Sequence, residues 1–397
     1  MRQAPLHDEP LSFGIEEEYL LLDQVTGRPR YESDAVIAAI NADAPRNARF
    51  PGSSPRATPN PPVHAEQEFL QSQIECATPI CTDAASATAA LLDFRRVASS
   101  AARDRGFVLA STGSPPAWAQ AEVQFSHTNR YDEIEHRIRA VSREQTMCGL
   151  HVHVAVPDRD LGVAVLNATR AQLPLFLALS VNAPFWDGRD TGFASWRSVQ
   201  LSRWPVSSIH PVFRDGADYE HRVQRLLDNG VLIDPGLVTW FARLSDRYPT
   251  VEFRVADAQL EANDAVALAL IFRAFVRFVV TDPGRRIPEL PPELLTGSMW
   301  LAARDGMSGT LIDPASGELV AAEDALARLL QLLAPHLDAA DDAHTVNAFV
   351  HRLQQRGPGA ARQRHAFRHD GIRGLLALYA RSTTASSQEP AGNARNG

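Results

Sequence analysis

The chain has 397 residues, 45% of them hydrophobic, and a formal net charge of −8. Acidic and basic residues are interspersed, which argues against nucleic acid or an anionic membrane as the main partner. None of the 39 basic residues is a lysine, which excludes a Schiff base, a lysine nucleophile and a P-loop lysine. Three cysteines, no apolar leader segment and no long uncharged apolar run predict a cytoplasmic protein without disulfides or membrane spans.

The first predicted element is a strand, Phe13 to Asp23, which opens with three consecutive carboxylates. Because side chains alternate along a strand, Glu16 and Glu18 point to one face and Glu17 points to the other. Like charges this close repel each other unless a cation lies between them, and hard divalent ions such as Mg²⁺ prefer carboxylate oxygens. An acidic edge strand that faces water gives the same pattern, so this stretch alone leaves both interpretations open.

A short helix over Tyr31 to Ala42 and a proline-rich stretch, Pro45 to Pro62, follow in the chain. The stretch holds six prolines and few apolar residues, which predicts a mobile surface loop. A short strand then carries Glu75 on its polar side. After it, Asp83 is placed to cap a helix that runs to Arg105.

Two later strands repeat the alternation of apolar and polar side chains. In Cys148 to Val156 the polar face carries His151 and His153, and in Thr250 to Asp257 it carries Glu252 and Arg254. An antiparallel sheet with one face packed on helices and a polar concave face would collect these groups into one site. The predicted fold class is therefore α+β.

The remaining segments are mostly helical. Leu161 to Val181 predicts an apolar helix broken at Pro174, and the Gly- and Trp-containing segment Asn182 to Arg203 predicts a loop that either binds a ligand or only connects elements. From Asp264 to Arg381 the pattern predicts packed helices. The small polar residues Ser382 to Gly397 predict a disordered tail, which leaves residues 1–381 as a single domain.

The polar groups that this sheet would bring together, called the cluster below, are compatible with more than one chemistry. Two histidines on one strand, His151 and His153, suit zinc and a metal-dependent amide hydrolase. The surrounding groups are glutamates, however, and these favour a hard ion instead. Several carboxylates with arginines suit a site that holds a nucleotide polyphosphate through two or more Mg²⁺ ions.

Six motifs carry a resemblance to a known family. Gly14–Glu18, Glu75–Pro79, Cys148–Val154, Pro184–Gly192, Ser195–Arg197 and Thr250–Asp257 together resemble the YbdK-type carboxylate-amine ligases, the type 2 branch of the glutamate-cysteine ligase superfamily. The resemblance runs in order from about Phe13 to Arg304. It implies a glutamine-synthetase-like fold, a homodimer, and a site for ATP and Mg²⁺ (or Mn²⁺) on the concave face of the sheet.

The resemblance also implies roles for individual residues. The metal ligands it implies are Glu16, Glu18, Glu68, Glu75, His151 and Glu252. The ATP-binding residues it implies are Arg189, Arg197, Arg254 and His153. Of these, Arg197 and Arg254 are the catalytic pair that hold phosphate or the substrate carboxylate.

The reaction implied by the resemblance starts with attack of a carboxylate on the γ-phosphate of ATP. An acyl phosphate forms, an amine displaces phosphate, and ADP and phosphate are released. L-Glutamate and L-cysteine are the first substrates to consider. A catalytically silent, nucleotide-binding relative is the third possibility, beside the ligase and the hydrolase.

Overall fold

The structure is a computed structural model that describes residues 10–47, 64–117, 123–285 and 287–385. The strands in these ranges are β1 (Phe13–Asp23), β2 (Ala65–Gln67), β3 (Gln73–Ala77), β4 (Phe107–Ala110), β5 (Gly149–Ala155), β6 (Phe185–Trp186), β7 (Arg189–Asp190), β8 (Ser207–Ser208), β9 (Thr239–Trp240), β10 (Ala242–Leu244), β11 (Thr250–Asp257), β12 (Thr310–Ile312) and β13 (Leu319–Ala321).

The helices in the same ranges follow in chain order. They are α1 (Ser33–Asn47), α2 (Ala84–Arg103), α3 (Asn129–Ile138), α4 (Arg159–Thr169), α5 (Leu173–Ser180), α6 (Trp196–Leu201), α7 (Gly216–Asp228), α8 (Ala262–Thr281), α9 (Pro292–Asp305), α10 (Ala322–Ala339), α11 (Ala343–Arg356) and α12 (Gly359–Thr384). The last of these bends at Asp370 and Gly371, which have non-helical backbone angles.

One antiparallel sheet holds the polar strands predicted from the sequence. Within the described ranges its order is β10-β11-β5-β1-β3-β2, and β4 pairs with the second half of β1. Every strand pairing in this sheet is antiparallel. The α+β class, with an antiparallel sheet packed on helices and a helical C-terminal part, is confirmed.

The apolar face of the sheet packs on α2, α5 and α8. Val152, Val154, Val251 and Phe253 are fully buried there, and the Phe253 ring stacks on Phe272 of α8 at 4.7 Å between ring centroids. Since the side chains of these strands alternate, burial of this set turns the glutamates and histidines to the opposite face.

Glu17, on the buried side of β1, pairs with Arg95 of α2. Their carboxylate and guanidinium are fully buried, with donor–acceptor distances of 2.6 and 3.0 Å. Arg95 also donates to the carbonyl oxygens of Gln259 and Leu260, so its buried charge is well satisfied. This pair joins β1 to α2 directly behind Glu16 and Glu18.

Two predicted boundaries are wrong. The predicted loop starts at Pro45, but α1 continues to Asn47, because the alanine-rich sequence before the proline favours helix. Residues 48–63, the rest of that loop, lie outside the described residues. The predicted disordered tail starts at Ser382, but α12 continues to Thr384, since the Thr383 hydroxyl is buried and donates to the Leu109 carbonyl oxygen at 3.2 Å. Residues 386–397 also lie outside the described ranges.

The segment Arg159–Ser180 is, within the described part of the chain, long and apolar enough to cross a membrane by length and composition. Its apolar window has a mean hydropathy of 1.3, and 78% of that window is buried inside the protein. It comprises α4 and α5 with a short 3₁₀ turn between them, so the chain breaks just before Pro174, as predicted.

Candidate active site

The strand register brings the predicted metal ligands into adjacent rows on one face of the sheet. Glu16 on β1 lies opposite His151 on β5, and Glu18 lies opposite Glu75 on β3. On the other side of β5, Glu252 of β11 lies opposite His153. Directly opposed residues on one face have neighbouring side chains, so the sheet itself assembles the cluster.

Among the described residues, two sets of three side chains can each hold a metal ion. One set is Glu16, Glu75 and His151, and the other is Glu16, His153 and Glu252. In each set one potential ligand atom per residue lies within 4.8 Å of the others. Because Glu16 belongs to both sets, the two positions adjoin.

The histidines are oriented toward Glu16. His151 Nδ1 lies 3.5 Å from Glu16 Oε2, and His153 Nε2 lies 3.2 Å from Glu16 Oε1. His153 Nδ1 is 3.0 Å from the hydroxyl of Thr250, which fixes the ring. His153 Nε2 is buried and completes no hydrogen bond within the described residues. A buried ring nitrogen that faces a carboxylate oxygen at 3.2 Å fits a metal ligand that shares its ion with that carboxylate.

The carboxylates of the cluster differ in charge. Burial and the neighbouring Glu68 raise the pKa of Glu18 to about 7. Burial, with Glu68, Glu16 and Glu18 nearby, raises the pKa of Glu75 well above its ordinary value. For Glu16, burial opposes ionisation, but the imidazoles of His151 and His153 overcome it and lower the pKa. A divalent cation would relieve the repulsion among these carboxylates, so the donor set fits a hard metal ion.

His151 is held in the form that binds metals. Burial, helped by the nearby charge of Arg254, lowers its pKa to about 4. The imidazole is therefore neutral at physiological pH, as a metal ligand must be.

Glu252 is ionised between two arginines. Arg243 donates to it at 2.6 and 3.1 Å, and Arg254 also contacts it. Although burial raises the pKa of Glu252, the charges of Arg254 and Arg243 outweigh burial and lower it. Arg243 further donates to the carbonyl oxygens of Gly236 and Val238, at 2.7 and 3.1 Å. It thus joins Glu252, a candidate metal ligand, to the loop that follows α7.

A break in the strand register lies next to Arg254. The pairing of β11 with β5 shifts between Phe253 and Ala256, while the Arg254 amide continues the β10–β11 ladder by donating to the Phe241 carbonyl oxygen at 2.8 Å. Arg254 lies on the same face as Glu252 and reaches both Glu252 and the cavity described below.

Arg197 is positioned by a helix cap. Ser195 caps α6 and donates its hydroxyl to Asp257 at 2.9 Å, and Arg197 lies 3.7 Å from the same carboxylate. The Arg197 guanidinium also donates to the carbonyl oxygen of Arg254 at 3.1 Å. It packs on the backbone of Gly149, where an added Cβ would lie 2.4 Å from Arg197 Nη2. Only glycine leaves room for this approach.

A cavity of about 110 Å³ adjoins the cluster. Of the predicted site residues, Glu18, Glu68, His151, Arg197 and Arg254 line it. The rest of its wall consists of Phe69, Gln73, Arg130, Tyr131, Ile134, Gln145, Met147, Leu201, Trp204, Gly236, Leu237 and Thr239.

The structure does not bring Arg189 to this cavity. Arg189 lies in the short β6–β7 hairpin, its side chain is exposed, and it contacts Asp187 at 3.4 Å. Its role in ATP binding stays a prediction. Glu18 and Glu68 line the cavity but belong to neither metal-capable set in the described ranges, so their metal ligation also stays a prediction.

Sequence reasoning missed Arg243 and Arg130. Arg243 lies on β10 directly opposite Glu252 of β11, a pairing that the structure reveals. Nothing in the sequence distinguishes Arg130 from the other charged residues of α3.

Comparison with known proteins identifies the family. The model of glutamate-cysteine ligase family 2 matches residues 12–378, which include all the cluster residues. The chain belongs to glutamate-cysteine ligase family 2. The family predicted from the six motifs is therefore confirmed.

Two relatives in this family extend over nearly the whole chain. A protein of Salinispora tropica, provisionally named glutamate--cysteine ligase 2, is 35% identical over 391 residues, which cover 96% of this chain and 99% of the relative. A protein of Mycolicibacterium vanbaalenii, provisionally named glutamate--cysteine ligase 2-2, is 37% identical over 376 residues, which cover 94% and 98%.

Solved structures share the fold at low sequence identity. The crystal structure of glutamate--cysteine ligase from Francisella tularensis in complex with AMP has a TM-score of 0.63 and 13% identity, covering 95% of this chain and 89% of that one. A bifunctional glutathione synthetase from Pasteurella multocida has a TM-score of 0.67 and 16% identity, covering 94% of this chain and 52% of that one. These likenesses confirm the fold predicted for the family.

Proposed function

We propose that the protein is an ATP-dependent carboxylate-amine ligase of the glutamate-cysteine ligase type. The observation that carries this proposal is the pair of metal-capable sets that share Glu16, beside two arginines that line one cavity. Mg²⁺ or Mn²⁺ bound there would supply charge neutralisation for the phosphates of ATP. The sets Glu16–Glu75–His151 and Glu16–His153–Glu252 would hold these ions.

The arginines act on the reacting groups. Arg254 and Arg197 approach the cavity from β11 and α6, and each is fixed by a carboxylate behind it. Fixed guanidinium groups stabilise the charge that develops on a transferring phosphoryl group and hold a substrate carboxylate in line. The assignment of Arg254 and Arg197 as the catalytic pair rests on this geometry and on family membership.

The proposed reaction has two bond exchanges. A substrate carboxylate oxygen attacks the γ-phosphorus of ATP, the bond to the bridging oxygen breaks, and ADP leaves. The amine nitrogen of the second substrate then attacks the acyl carbon, phosphate leaves, and the nitrogen loses a proton to give the amide. L-Glutamate is the first acid to test and L-cysteine the first amine, because relatives in the family carry those substrates in their names.

The structure favours the ligase over an amide hydrolase built on His151 and His153. Each metal-capable set contains one histidine and two glutamates, a donor set for a hard ion. The neighbouring arginines have no evident task in a hydrolase, whereas phosphoryl transfer uses them.

Hydroxylamine provides a test of this proposal. It should replace the natural amine and trap the acyl phosphate of L-glutamate, or of another acid from a panel, as a hydroxamate, with ADP and phosphate in equal amounts. A hydrolase would act without ATP, and a silent relative would bind nucleotide without releasing ADP. AMP and pyrophosphate as products would refute the proposal, because they indicate attack on the α-phosphorus.

We further propose a cytoplasmic homodimer, by analogy with the family. Light scattering at micromolar protein concentration should give twice the mass of one chain. A monomer mass would contradict the dimer without affecting the proposed chemistry.

A further inference from the structure

Part of the lining of the cavity beside the cluster is apolar. The side chains that form this wall are Phe69, Ile134, Met147, Leu201, Trp204 and Leu237. All of them except Leu237 are buried, and Phe69 packs edge-on against Trp204 at 6.3 Å between ring centroids. The wall is therefore a rigid part of the core that opens into the site rather than a set of loose surface residues.

Another part of the lining is charged. Glu18 and Glu68 belong to it together with Arg130 and Arg254. Arg254 is paired with Glu252, and Arg130 uses Nε and Nη2 to bind Asp234 at 2.7 and 3.3 Å. Glu18 accepts the Gly149 amide through Oε2 at 2.7 Å, and its Oε1 takes no part in that bond. The bonds to Asp234 use Nε and Nη2 of Arg130, so an ammonium group would meet Glu18 Oε1 and a ligand carboxylate would meet Arg130 Nη1.

A cavity with these two kinds of lining suits a zwitterion with an apolar side chain. Charged ends of the ligand would meet Glu18 and Arg130, while its apolar side chain would cover the aromatic and aliphatic wall. Since Glu18 and His151 belong to both the cavity and the cluster, the amine of such a ligand would lie beside the reacting centre.

We propose that the acceptor amine is an α-amino acid whose side chain is apolar and longer than that of cysteine. This inference rests on the proposed ligase function and names the class of its second substrate. Leucine, methionine and phenylalanine are the representatives to test, with serine and glutamate as polar comparisons.

The apolar lining predicts the order in which amino acids bind. Each methylene that fills an apolar pocket changes binding by about tenfold or more. Leucine and methionine should therefore bind at least about tenfold more tightly than alanine, and serine and glutamate should bind more weakly still. The corresponding amines without a carboxylate should bind less tightly, because they cannot engage Arg130.

Two measurements on the full-length protein test the proposal. Calorimetry with each amino acid, without nucleotide and again with ADP and Mg²⁺, gives the affinity order independently of turnover. In the hydroxylamine assay, the same apolar amino acids should compete with hydroxylamine and reduce hydroxamate formation, whereas serine should not.

A matched pair of variants locates the ligand. Leu237→Ala removes half-buried apolar surface from the cavity wall, and Leu330→Ala removes similar surface from α10, outside the cavity. Leucine should bind about tenfold more weakly to Leu237→Ala and normally to Leu330→Ala, while alanine should bind to both as to the parent protein.

Three results would overturn the inference. They are equal binding of polar and apolar amino acids, no binding in either condition, and an unchanged affinity for leucine in Leu237→Ala. Hydroxamate formation with any of these results would leave the ligase standing and refute the substrate class. The predicted affinity order without ADP release would instead support the pocket and refute the ligase.

Discussion

Two glutamates that look alike in the sequence have different surroundings in the structure. Glu252 is held ionised by Arg243 and Arg254, whereas Glu75 faces other carboxylates and holds its proton more tightly. Strand alternation could predict that both lie on the polar face. It could not predict their charges, because these depend on neighbours from distant parts of the chain.

Glu75→Gln should abolish ligase activity without destabilising the protein. The change removes one of several mutually repelling carboxylates, so the free energy of unfolding should be unchanged or higher, while a proposed metal ligand is lost. Thermal unfolding with and without Mg²⁺ should show stabilisation by the ion in the parent protein and much less in the variant.

Glu66→Gln is the control for this prediction. Glu66 lies opposite Glu75 on β2 but is exposed, so the change should alter neither activity nor the effect of Mg²⁺. An active Glu75→Gln variant that Mg²⁺ still stabilises fully would remove Glu75 from the metal site.

Arg254→Lys should reduce turnover by about 100-fold or more despite the conserved charge. A lysine ammonium cannot keep the contact with Glu252 while it presents a planar edge to the cavity. Steady-state kinetics would show the loss mainly in kcat. Normal turnover in a folded Arg254→Lys variant would assign Arg254 a structural role only.

At the scale of elements, the strands were predictable and their irregularities were not. The alternation of Val251, Glu252 and Phe253 gives the two faces of β11, but the shift in pairing between Phe253 and Ala256 leaves no mark in the pattern. Similarly, the glycine before Leu150 reads as an ordinary strand start. The need for glycine at this position is explained only by the structure, in which Arg197 of α6 lies against its backbone.

Gly149→Ala tests the packing of Arg197 on β5. An added Cβ would lie 2.4 Å from Arg197 Nη2 and 3.1 Å from His151 Nε2, so the guanidinium must move. We expect a loss of activity of about 10- to 100-fold, since a small displacement of a positioning group has effects of this size. The melting temperature should change little, because the obstacle is the end of a side chain rather than backbone.

Gly14→Ala is the matched control for this substitution. Gly14 lies on the neighbouring strand, opposite His153, and an added Cβ there meets nothing within 4 Å. Its activity should equal that of the parent protein. Equal losses in the two variants would mean that alanine disturbs the sheet in general and that Arg197 is not displaced specifically.

At the scale of the whole molecule, the fold class and the polar face followed from local patterns, whereas the ties between distant segments did not. Gln363 on α12 donates to the Asn182 carbonyl oxygen at 2.8 Å and accepts from Tyr379. Asn182 in turn donates to Asp257, next to the site. Such a buried network needs complementary side chains from three separate segments, and no periodicity in the sequence encodes which ones meet.

A buried histidine outside the site should set part of the acid stability of the molecule. His210 is fully buried, its Nε2 donates to the Leu166 carbonyl oxygen at 2.9 Å, and its ring stacks on Phe213. Burial lowers the pKa of His210 from 6.5 to about 3. The folded state therefore keeps this imidazole neutral, while the unfolded chain takes up a proton below its ordinary pKa.

Acid should destabilise the protein because the pKa of His210 is lower in the folded state than in the unfolded chain. Above pH 6.5 neither state protonates His210, and its contribution to stability is fully present. As the pH falls from 6.5 toward 3, only the unfolded state gains the proton, so the contribution is lost. The loss should approach about 1.4 kcal/mol per pH unit, the value for one proton bound in the unfolded state alone.

His210→Gln should flatten this dependence, because glutamine keeps a donor near Nε2 and cannot titrate. Urea unfolding from about pH 7.5 down to about pH 4.5 should show the parent protein losing stability more steeply than the variant, even where the variant starts out less stable. The exposed His365→Gln substitution on α12 should leave the slope of the parent protein unchanged. If the curves of the parent and His210→Gln run parallel over this range, protonation of His210 is not what the unfolded chain gains, and the acid sensitivity must come from other groups.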